Sequence, residues 1–344
     1  MSRLPLVSIL IPCHNAELWI ARTLESALAQ TWVNKEIIVV DDGSTDKSLR
    51  IARTFEALGV IVISQVNQGA SAARNAALRA CQGDFIQYLD ADDLIDPEKI
   101  EHQVSMLQKS SVGAIATCEW ARFYSQPSEA CFVSQPLWKD MSPVDWLLCA
   151  WGEQWMMHPA AWLIPKSVAR QAGDWNEKLS LNDDGEYFSR VVLVSTQIKF
   201  CAGAKVYYRS GNSGSLSATL SPTAYLSAYV SWKLCTNALL AVEDSPRTRQ
   251  VCATVFQRFI YEVYPEVPEI LAQAAARVRQ LGGSRLHPVG GPSFQILARL
   301  LGWQRAKRLK SLLYRYGYQK AAIGWRMANL LKQRSYYFNR DIFG

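Results

Sequence analysis

The sequence predicts an α/β fold with a mostly parallel central sheet, helices on both faces, and a helical C-terminal region. Three observations carry this. Short, nearly continuous apolar runs recur in the first hundred residues: LVSILI at 6–11, EIIVV at 36–40, VIVI at 60–63 and FIQYL at 85–89. Runs of this kind mark strands buried on both faces. Helix-like segments separate them, as parallel strands require. Beyond about residue 220 helical periodicity takes over.

Each element has its own signal. After the first strand, Asn15 is placed to cap a helix whose apolar positions are Ile20, Leu24 and Leu28. Ser44 or Thr45, following Gly43, is placed to start the next. A small-residue helix is expected from about Ser71 to Arg79, and Asp96-Pro97-Glu98 reads as an N-cap, a proline at the first helical position and a dipole-matched acid. Further on, residues 222–242 are apolar and periodic, and Ser245-Pro246 opens another helix. One more runs to Gln280 and is closed by Gly282-Gly283. After Pro292 the pattern is of basic amphipathic helices, with Leu309, Leu312, Leu313 and Tyr316 on one face.

The bulk properties narrow the class. A chain of 344 residues holds one large domain and a smaller one. At 49% hydrophobic and 19% charged residues its composition is globular. The eight cysteines include no CxxC pair, so they read as buried small hydrophobes, not as zinc ligands or a disulfide framework. The opening stretch is broken by Pro5, Ser8 and Pro12, unlike a signal peptide. No apolar run approaches the ~20 residues of a membrane-spanning helix. The expected location is the cytoplasm, with peripheral attachment to the inner face of the membrane as an extension. Charge is uneven: Arg285 to Gly344 carries 12 Lys and Arg against one acid, so +11, while residues 1–284 carry −4. Two jobs are implied.

Ligands of open parallel sheets bind beyond the carboxyl ends of the strands. Four polar clusters lie there: PCHNAE, DDGSTD, NQG and DADD. The last belongs to FIQYLDADDLID, where a buried strand ends in Asp90, Asp92, Asp93 and Asp96. Asp96 and Glu98 are explained by the helix start. Asp90, Asp92 and Asp93 are not, and their repulsion calls for a cation; hard oxygen donors suit Mg²⁺ or Mn²⁺.

The order PCHNAE, IIVVDDGSTD, NQGASAARNAAL, GDFIQYLDADD over residues 6–100, followed by GDWNEKLSLNDDGEYFSR at 173–190, resembles the family 2 glycosyltransferases of GT-A fold. The resemblance implies an inverting enzyme that moves a sugar from a nucleotide-sugar, UDP-linked in preference to GDP-linked, to a saccharide or lipid-linked acceptor. It implies a GT-A domain over 1–220, with the nucleotide-sugar part at about 1–100 and the acceptor part at 101–220, and a helical region over 221–344. Pro12, His14, Asn15 and Glu17 would lie along the nucleotide, Asp42 would contact the base with Asp41 nearby, and Ala73 and Arg74 would line the nucleoside. Asp90, with Ala91, would approach the ribose or sugar. Asp92 and Asp93 would hold the Mn²⁺ or Mg²⁺ that bridges the diphosphate. Arg74 is equally placed for a salt bridge to the rim acids.

Inversion needs a base for the acceptor hydroxyl. The resemblance puts it at Asp184, with Asp183 where the family more often has Glu, and Gly185 where an aromatic is common. Capping of the helix by Asn182 to Asp184 is compatible with that role. Asp183, His158 and Trp155 are candidate acceptor contacts, although a lone His beside Trp and Met is also a natural core residue, and core packing is the simpler reading of Trp151, Trp155 and Trp162. YYRSGNSGSLS at 207–217 matches a family loop that closes over the diphosphate, with Arg209 and Ser215 as candidates.

The basic tail reads either as a helical subdomain with a basic outer face or as a helix pair on anionic membrane, with Trp303, Trp325 and Tyr336 near the headgroups. It lacks any nucleic-acid-binding fold. Two alternatives have less support. A sugar nucleotidyltransferase would carry Gly and Lys after the first strand, and PCHNAE has neither. A GT-A-like binding protein without catalysis has no need of the metal acids and Asp184.

Overall fold

The computed structural model describes residues 3–211 and 221–315. Its centre is a parallel sheet of β1 (Val7–Cys13), β2 (Lys35–Asp42), β3 (Val60–Gln65) and β4 (Phe85–Tyr88), in spatial order β3-β2-β1-β4. Every residue of β1 is buried. Its Val, Ile and Leu side chains each contribute roughly 1.5–3 kcal/mol of transfer free energy. Helices α1 (Ile20–Leu28), α2 (Ser48–Thr54) and α3 (Ala70–Ala80) make the crossovers. The mixed α/β architecture, the mostly parallel sheet and the C-terminal helices match the expected fold class.

After β4 come β5 (Leu94–Ile95), α4 (Lys99–Leu107), β6 (Ile115–Phe123), α5 (Pro143–Glu153), β7 (Ile164–Pro165), α6 (Lys166–Ala172), α7 (Asp183–Val194) and β8 (Ile198–Arg209). β7 pairs antiparallel with β4. The strands β5, β8 and β6 form a second sheet that sequence reasoning did not assign. β8 pairs parallel with β6 and antiparallel with β5, Leu94 facing Tyr207. It thus carries the chain from residue 198 back to the turn that follows β4.

Several helix starts differ from expectation, for one reason. Short polar side chains at the strand ends tie loops to each other instead of capping helices. Asn15 has φ 49° and its Oδ1 accepts from the Thr45 N–H at 2.8 Å, while α1 begins at Ile20 with no side-chain cap. Ser44 accepts from the Asn15 N–H at 3.0 Å, and α2 begins at Ser48. Asp96 accepts from the Glu98 N–H at 3.3 Å, and α4 begins only at Lys99. Gly43 (φ 69°) lets these loops meet, since a Cβ there would lie 2.7 Å from the Asn67 nitrogen.

The C-terminal signals are met as expected. α8 spans Pro222–Val242. α9 (Pro246–Val263) starts with a reciprocal Ser245–Thr248 capping box. α10 (Pro268–Gln280) ends with the Gly283 N–H on Val278 O at 2.8 Å and the Gly282 N–H on Arg279 O at 3.1 Å. This is a Schellman closure with Gly282 left-handed. α11 (Pro292–Leu301) and α12 (Trp303–Arg315) follow. Trp303 stands edge-on to Tyr261 and Tyr264, at 4.8 and 5.1 Å between centroids, so it is a packing residue of this helical region. Ser215, Tyr316, Trp325 and Tyr336 lie outside the described residues.

The described residues form two compact units, one of 3–211 with 230–244, the other of 221–229 with 245–315. No described helix is long and apolar enough to cross a membrane. Six of the eight cysteines are buried, and all are free thiols.

Candidate active site

The turn after β4 is pinned from several sides. Thr23 Oγ1 of α1 lies 2.9 Å from the carbonyl oxygens of Ala91 and Asp93. Asp93 is fully buried; its Oδ1 accepts from the Arg209 backbone N–H at 2.7 Å, and its Oδ2 faces His158 Nε2 at 3.0 Å. The Ala160 N–H donates to His158 Nδ1 at 3.1 Å, which leaves the ring proton on Nε2, aimed at Asp93. Oδ1 of Asp93 is thus hydrogen-bonded within the protein, while the buried Oδ2 lies beside the His158 ring without a hydrogen bond among the described residues. The segment carrying His158 is held over β4 by Gln87, whose Nε2 donates to Ala160 O at 2.8 Å, and by Gln103, which donates to Ala161 O at 2.9 Å.

Asp90 and Asp92 are differently placed. Burial by itself would raise the Asp90 carboxyl; Arg74 and His158 overcome it and hold that group below its ordinary value. Asp92 is pushed up to about 7, by burial and then by repulsion from Asp93 and Asp90. Asp90, Asp93 and His158 present ligand atoms within 4.8 Å of one another, and Asp92 adjoins them in the chain. A carboxylate lifted by burial and then by like charges is one that a divalent cation would stabilise in its ionised form. The donor set fits Mg²⁺ or Mn²⁺.

Arg74 of α3 links this cluster to the second acidic pair. Nη2 donates to Asp90 at 2.9 Å and Nη1 to Asp183 at 3.1 Å. The guanidinium lies over the Trp175 ring at 4.5 Å. Ser71 Oγ adds a second bond to Asp183 at 3.0 Å. The salt bridge to the rim acids expected of Arg74 is present. Beside Asp183, the Asp184 carboxyl is pushed up to about 6, by burial first and then by Asp183, against the Gly185 N–H that donates to its Oδ1 at 2.8 Å. Glu186 takes both Nε and Nη2 of Arg190 at 2.8 Å, which fixes the first turns of α7. Asn182 precedes the helix with φ 59° and makes no side-chain cap, so the expected capping by Asn182 is replaced by other contacts.

At the ends of β1 and β2 the described contacts separate two neighbouring acids. Asp42 is saturated: Gln68 N–H (2.9 Å) and Gln65 Nε2 (2.7 Å) donate to Oδ1, and Gly69 N–H (2.8 Å) to Oδ2. Its carboxylate holds the loop that leads into α3. Asp41 accepts from the Ser44 N–H through Oδ2 at 3.2 Å, and its buried Oδ1 has no hydrogen-bond partner among the described residues. Pro12 and Ala73 are buried beside them. Glu17 accepts from the Lys47 N–H at 3.0 Å. The His14 imidazole is exposed, with Nδ1 2.9 Å from Asp42 O.

Arg209 is buried, and its Nη2 has no hydrogen-bond partner among the described residues. Its Nε donates to Asp92 O at 2.9 Å, and its guanidinium lies between Trp19 and Phe123 at 4.1 and 4.4 Å. Trp151 meets Trp232 edge-on, and Trp162 stacks on Phe188 at 5.4 Å, both in the core; Trp155 is half-exposed, with Nε1 on Glu153 at 3.0 Å. Thr23, Ser71 and Trp175 were not singled out from sequence. A hydroxyl or an aromatic ring in a helix or loop carries no local sign of the distant acid it will meet.

Residues 8–138 match the family described as glycosyl transferase family 2. An uncharacterised glycosyltransferase of Haemophilus influenzae is 41% identical over 123 residues, 34% of this chain and 49% of that protein. The UDP-Glc:alpha-D-GlcNAc-diphosphoundecaprenol beta-1,3-glucosyltransferase WfgD of Escherichia coli is 37% identical over 108 residues, 31% of this chain and 43% of that protein. The chain thus spans about half the length of these curated relatives. Residues 1–349 of S. aureus TarS, solved with UDP-GlcNAc, share the fold at a TM-score of 0.66 and 17% identity over 91% of this chain and 92% of that one.

Proposed function

We propose that this chain, whose residues 8–138 belong to glycosyl transferase family 2, transfers a sugar from a UDP-sugar, or a GDP-sugar, to a hydroxyl of a saccharide or lipid-linked saccharide, with inversion. The observation that carries this is the Arg74 bridge. One guanidinium joins Asp90, at the strand ends where nucleotides bind α/β sheets, to Asp183, the neighbour of a buried carboxyl whose pKa of about 6 suits proton abstraction near neutrality. TarS with UDP-GlcNAc and WfgD with its UDP-Glc donor and lipid-linked acceptor support the substrate classes.

In this reading Asp41, and not the saturated Asp42, receives an N–H of the base on its free Oδ1. Pro12, His14, Asn15 and Glu17 line the nucleotide, with Ala73 below it. Asp90, Asp92 and Asp93 surround the divalent cation, with Asp93 also bracing the turn through its Oδ1 bond to the Arg209 N–H. Bound there, Mn²⁺ or Mg²⁺ supplies Lewis-acid stabilisation of the departing diphosphate. Asp184 accepts the proton of the acceptor hydroxyl as that oxygen attacks the anomeric carbon from the face opposite the leaving group. Arg74 and Ser71 keep Asp183 paired, so that Asp184 is the one of the two that serves as base. Trp155 is the exposed aromatic next to the segment bearing His158 and is the acceptor contact of choice.

The acceptor side extends to lipid. Ile296, Leu300 and Leu301 of α11 and Leu309 and Leu312 of α12 are exposed, among Arg299, Arg305 and Arg308. Apolar side chains ringed by arginines complement an anionic bilayer surface, which brings the enzyme to lipid-linked substrates at the inner face of the membrane. Co-sedimentation with phosphatidylglycerol vesicles at low salt, lost in Leu300→Asp, tests this; equal pelleting of both proteins excludes the docking face. For the activity itself, the test is a thermal-shift screen of UDP- and GDP-sugars with and without Mn²⁺, followed by assay of UDP or GDP release. A rise in melting temperature with at least one donor is expected, and no response to any of them rules out the glycosyltransferase reading.

A further inference from the structure

We propose that Ser231 of α8, far outside the family-matched segment, is a positioning residue for the general base, acting through Asn182 and Gly185. This rests on Asp184 being that base.

The residues on either side of Asp183-Asp184 are held by α8. Asn182 has left-handed backbone (φ 59°, ψ 31°), and its side chain makes none of the capping bonds that commonly favour Asn there. Ser231 supplies what the local sequence does not. Asn182 Nδ2 donates to Ser231 Oγ at 2.7 Å, and Ser231 Oγ donates back to Asn182 O at 2.8 Å. The same carbonyl accepts the first helical bond, from the Glu186 N–H at 3.2 Å. A hydroxyl offers one donor and two acceptor sites, and Ser231, fully buried, uses both kinds on one residue. One helical turn along, on the same face, Cys235 Sγ donates to Gly185 O at 3.7 Å. Ser231 and Cys235 therefore grip the backbone immediately before and immediately after the acid pair.

Gly185 completes the device. A Cβ at that position would lie 2.3 Å from Asn182 Oδ1. The amide is folded back over its own first turn, and only glycine leaves it room there. At this position, where the family commonly has an aromatic, Gly185 admits the amide that engages Ser231.

None of these bonds reaches Arg74, Asp90 or Asp92. Removing the Ser231 hydroxyl should therefore loosen the placement of Asp184 and leave the donor contacts intact. A displacement of about 1 Å at a reacting group costs up to about 10²-fold in rate.

The experiment uses the full chain with Mn²⁺ and UDP-glucose, UDP-N-acetylglucosamine and GDP-mannose. It follows nucleotide release to water, or to an acceptor once one is found, together with nucleotide binding and melting temperature. Ser231→Ala and Asn182→Gly are compared with the parent; glycine keeps the left-handed turn and deletes only the side chain. The expected result is a fall in kcat of about tenfold or more in Ser231→Ala and a smaller fall in Asn182→Gly. Donor KM and nucleotide affinity stay within about twofold, and the acid limb of the kcat profile moves to lower pH as Asp184 gains water. Should Ser231→Ala fail to fold, Asn182→Gly alone decides. Full kcat with an unmoved acid limb in the folded variants overturns the positioning role and leaves the glycosyltransferase reading standing. A parent protein that neither binds nor cleaves any of the three donors overturns both.

Discussion

The two acidic groups of the site, the turn after β4 and the start of α7, are built alike and end up suited to different chemistry. In each, one carboxylate is paired inside the protein with the same arginine: Asp90 with Arg74, and Asp183 with Arg74 and Ser71. In each, a neighbour is left with a raised pKa, about 7 for Asp92 and about 6 for Asp184. The difference lies in the company each one keeps. Asp92 is crowded by two further carboxylates, a field that a divalent cation relieves. Asp184 has mainly one like-charged neighbour, already tied to Arg74, so it is free to gain and lose a proton. The difference teaches that identical residues next to each other in sequence divide into scaffold and reagent according to which one a distant cationic or hydroxyl group reaches.

The comparison can be broken at its reagent side most sharply. Asp184→Asn, which keeps shape and removes basicity, is expected to lower the transfer rate by ~10²–10⁴ while nucleotide affinity stays within about twofold. Nucleotide-release kinetics beside a binding titration measure both. At the cation side, Asp92→Asn is expected to weaken Mn²⁺ binding by at least about tenfold, of the order seen when metal sites lose a supporting group. Chelation by EDTA should abolish the donor-induced thermal shift. Isothermal titration with Mn²⁺ tests this, and undiminished affinity would move the cation away from Asp92.

The two groups also differ in pH response. A base must be ionised, so kcat/KM should fall about tenfold per pH unit below an apparent pKa near 6, a value that belongs to the Asp183-Asp184 pair. The acid limb should vanish in Asp184→Asn.

The smallest expected effect comes from Lys99, which has no carboxylate to answer it. It is fully buried, donates to Gln87 Oε1, and is lowered by burial to about 8. The folded-state pKa lies below the unfolded one, so its contribution is full above the unfolded value near 10.5 and is lost as pH falls through about 8. Relative to Lys99→Met, the parent should gain a few degrees in melting temperature as pH rises from about 8 to 10.5. Parallel melting curves would show that Lys99 is charged throughout.

Much of this was legible in the chain. The four parallel strands follow from LVSILI, EIIVV, VIVI and FIQYL, because strands buried on both faces leave continuous apolar runs. The C-terminal capping box at Ser245 and the Gly282-Gly283 closure are equally local. The second sheet escaped because β8 mixes Lys199, Lys205 and Gly203 with apolar residues and rests on pairings with β5 and β6. The different surroundings of Asp41 and Asp42 escaped for a related reason. Both end the same strand, and the donors that reach Asp42, from Gln65, Gln68 and Gly69, come from the end of β3 and the loop after it.

By itself, then, the sequence determined where the acids lie: at the carboxyl ends of buried strands and at a helix start, positions set by periodicity and by short-range backbone chemistry. The tertiary structure alone decided which partners each of them meets. Those partners lie elsewhere in the chain, at Arg74, His158 and Arg209. Burial makes each such partner matter, because in a low-dielectric site the charged form of an acid is costly and a nearby cation or donor offsets that cost.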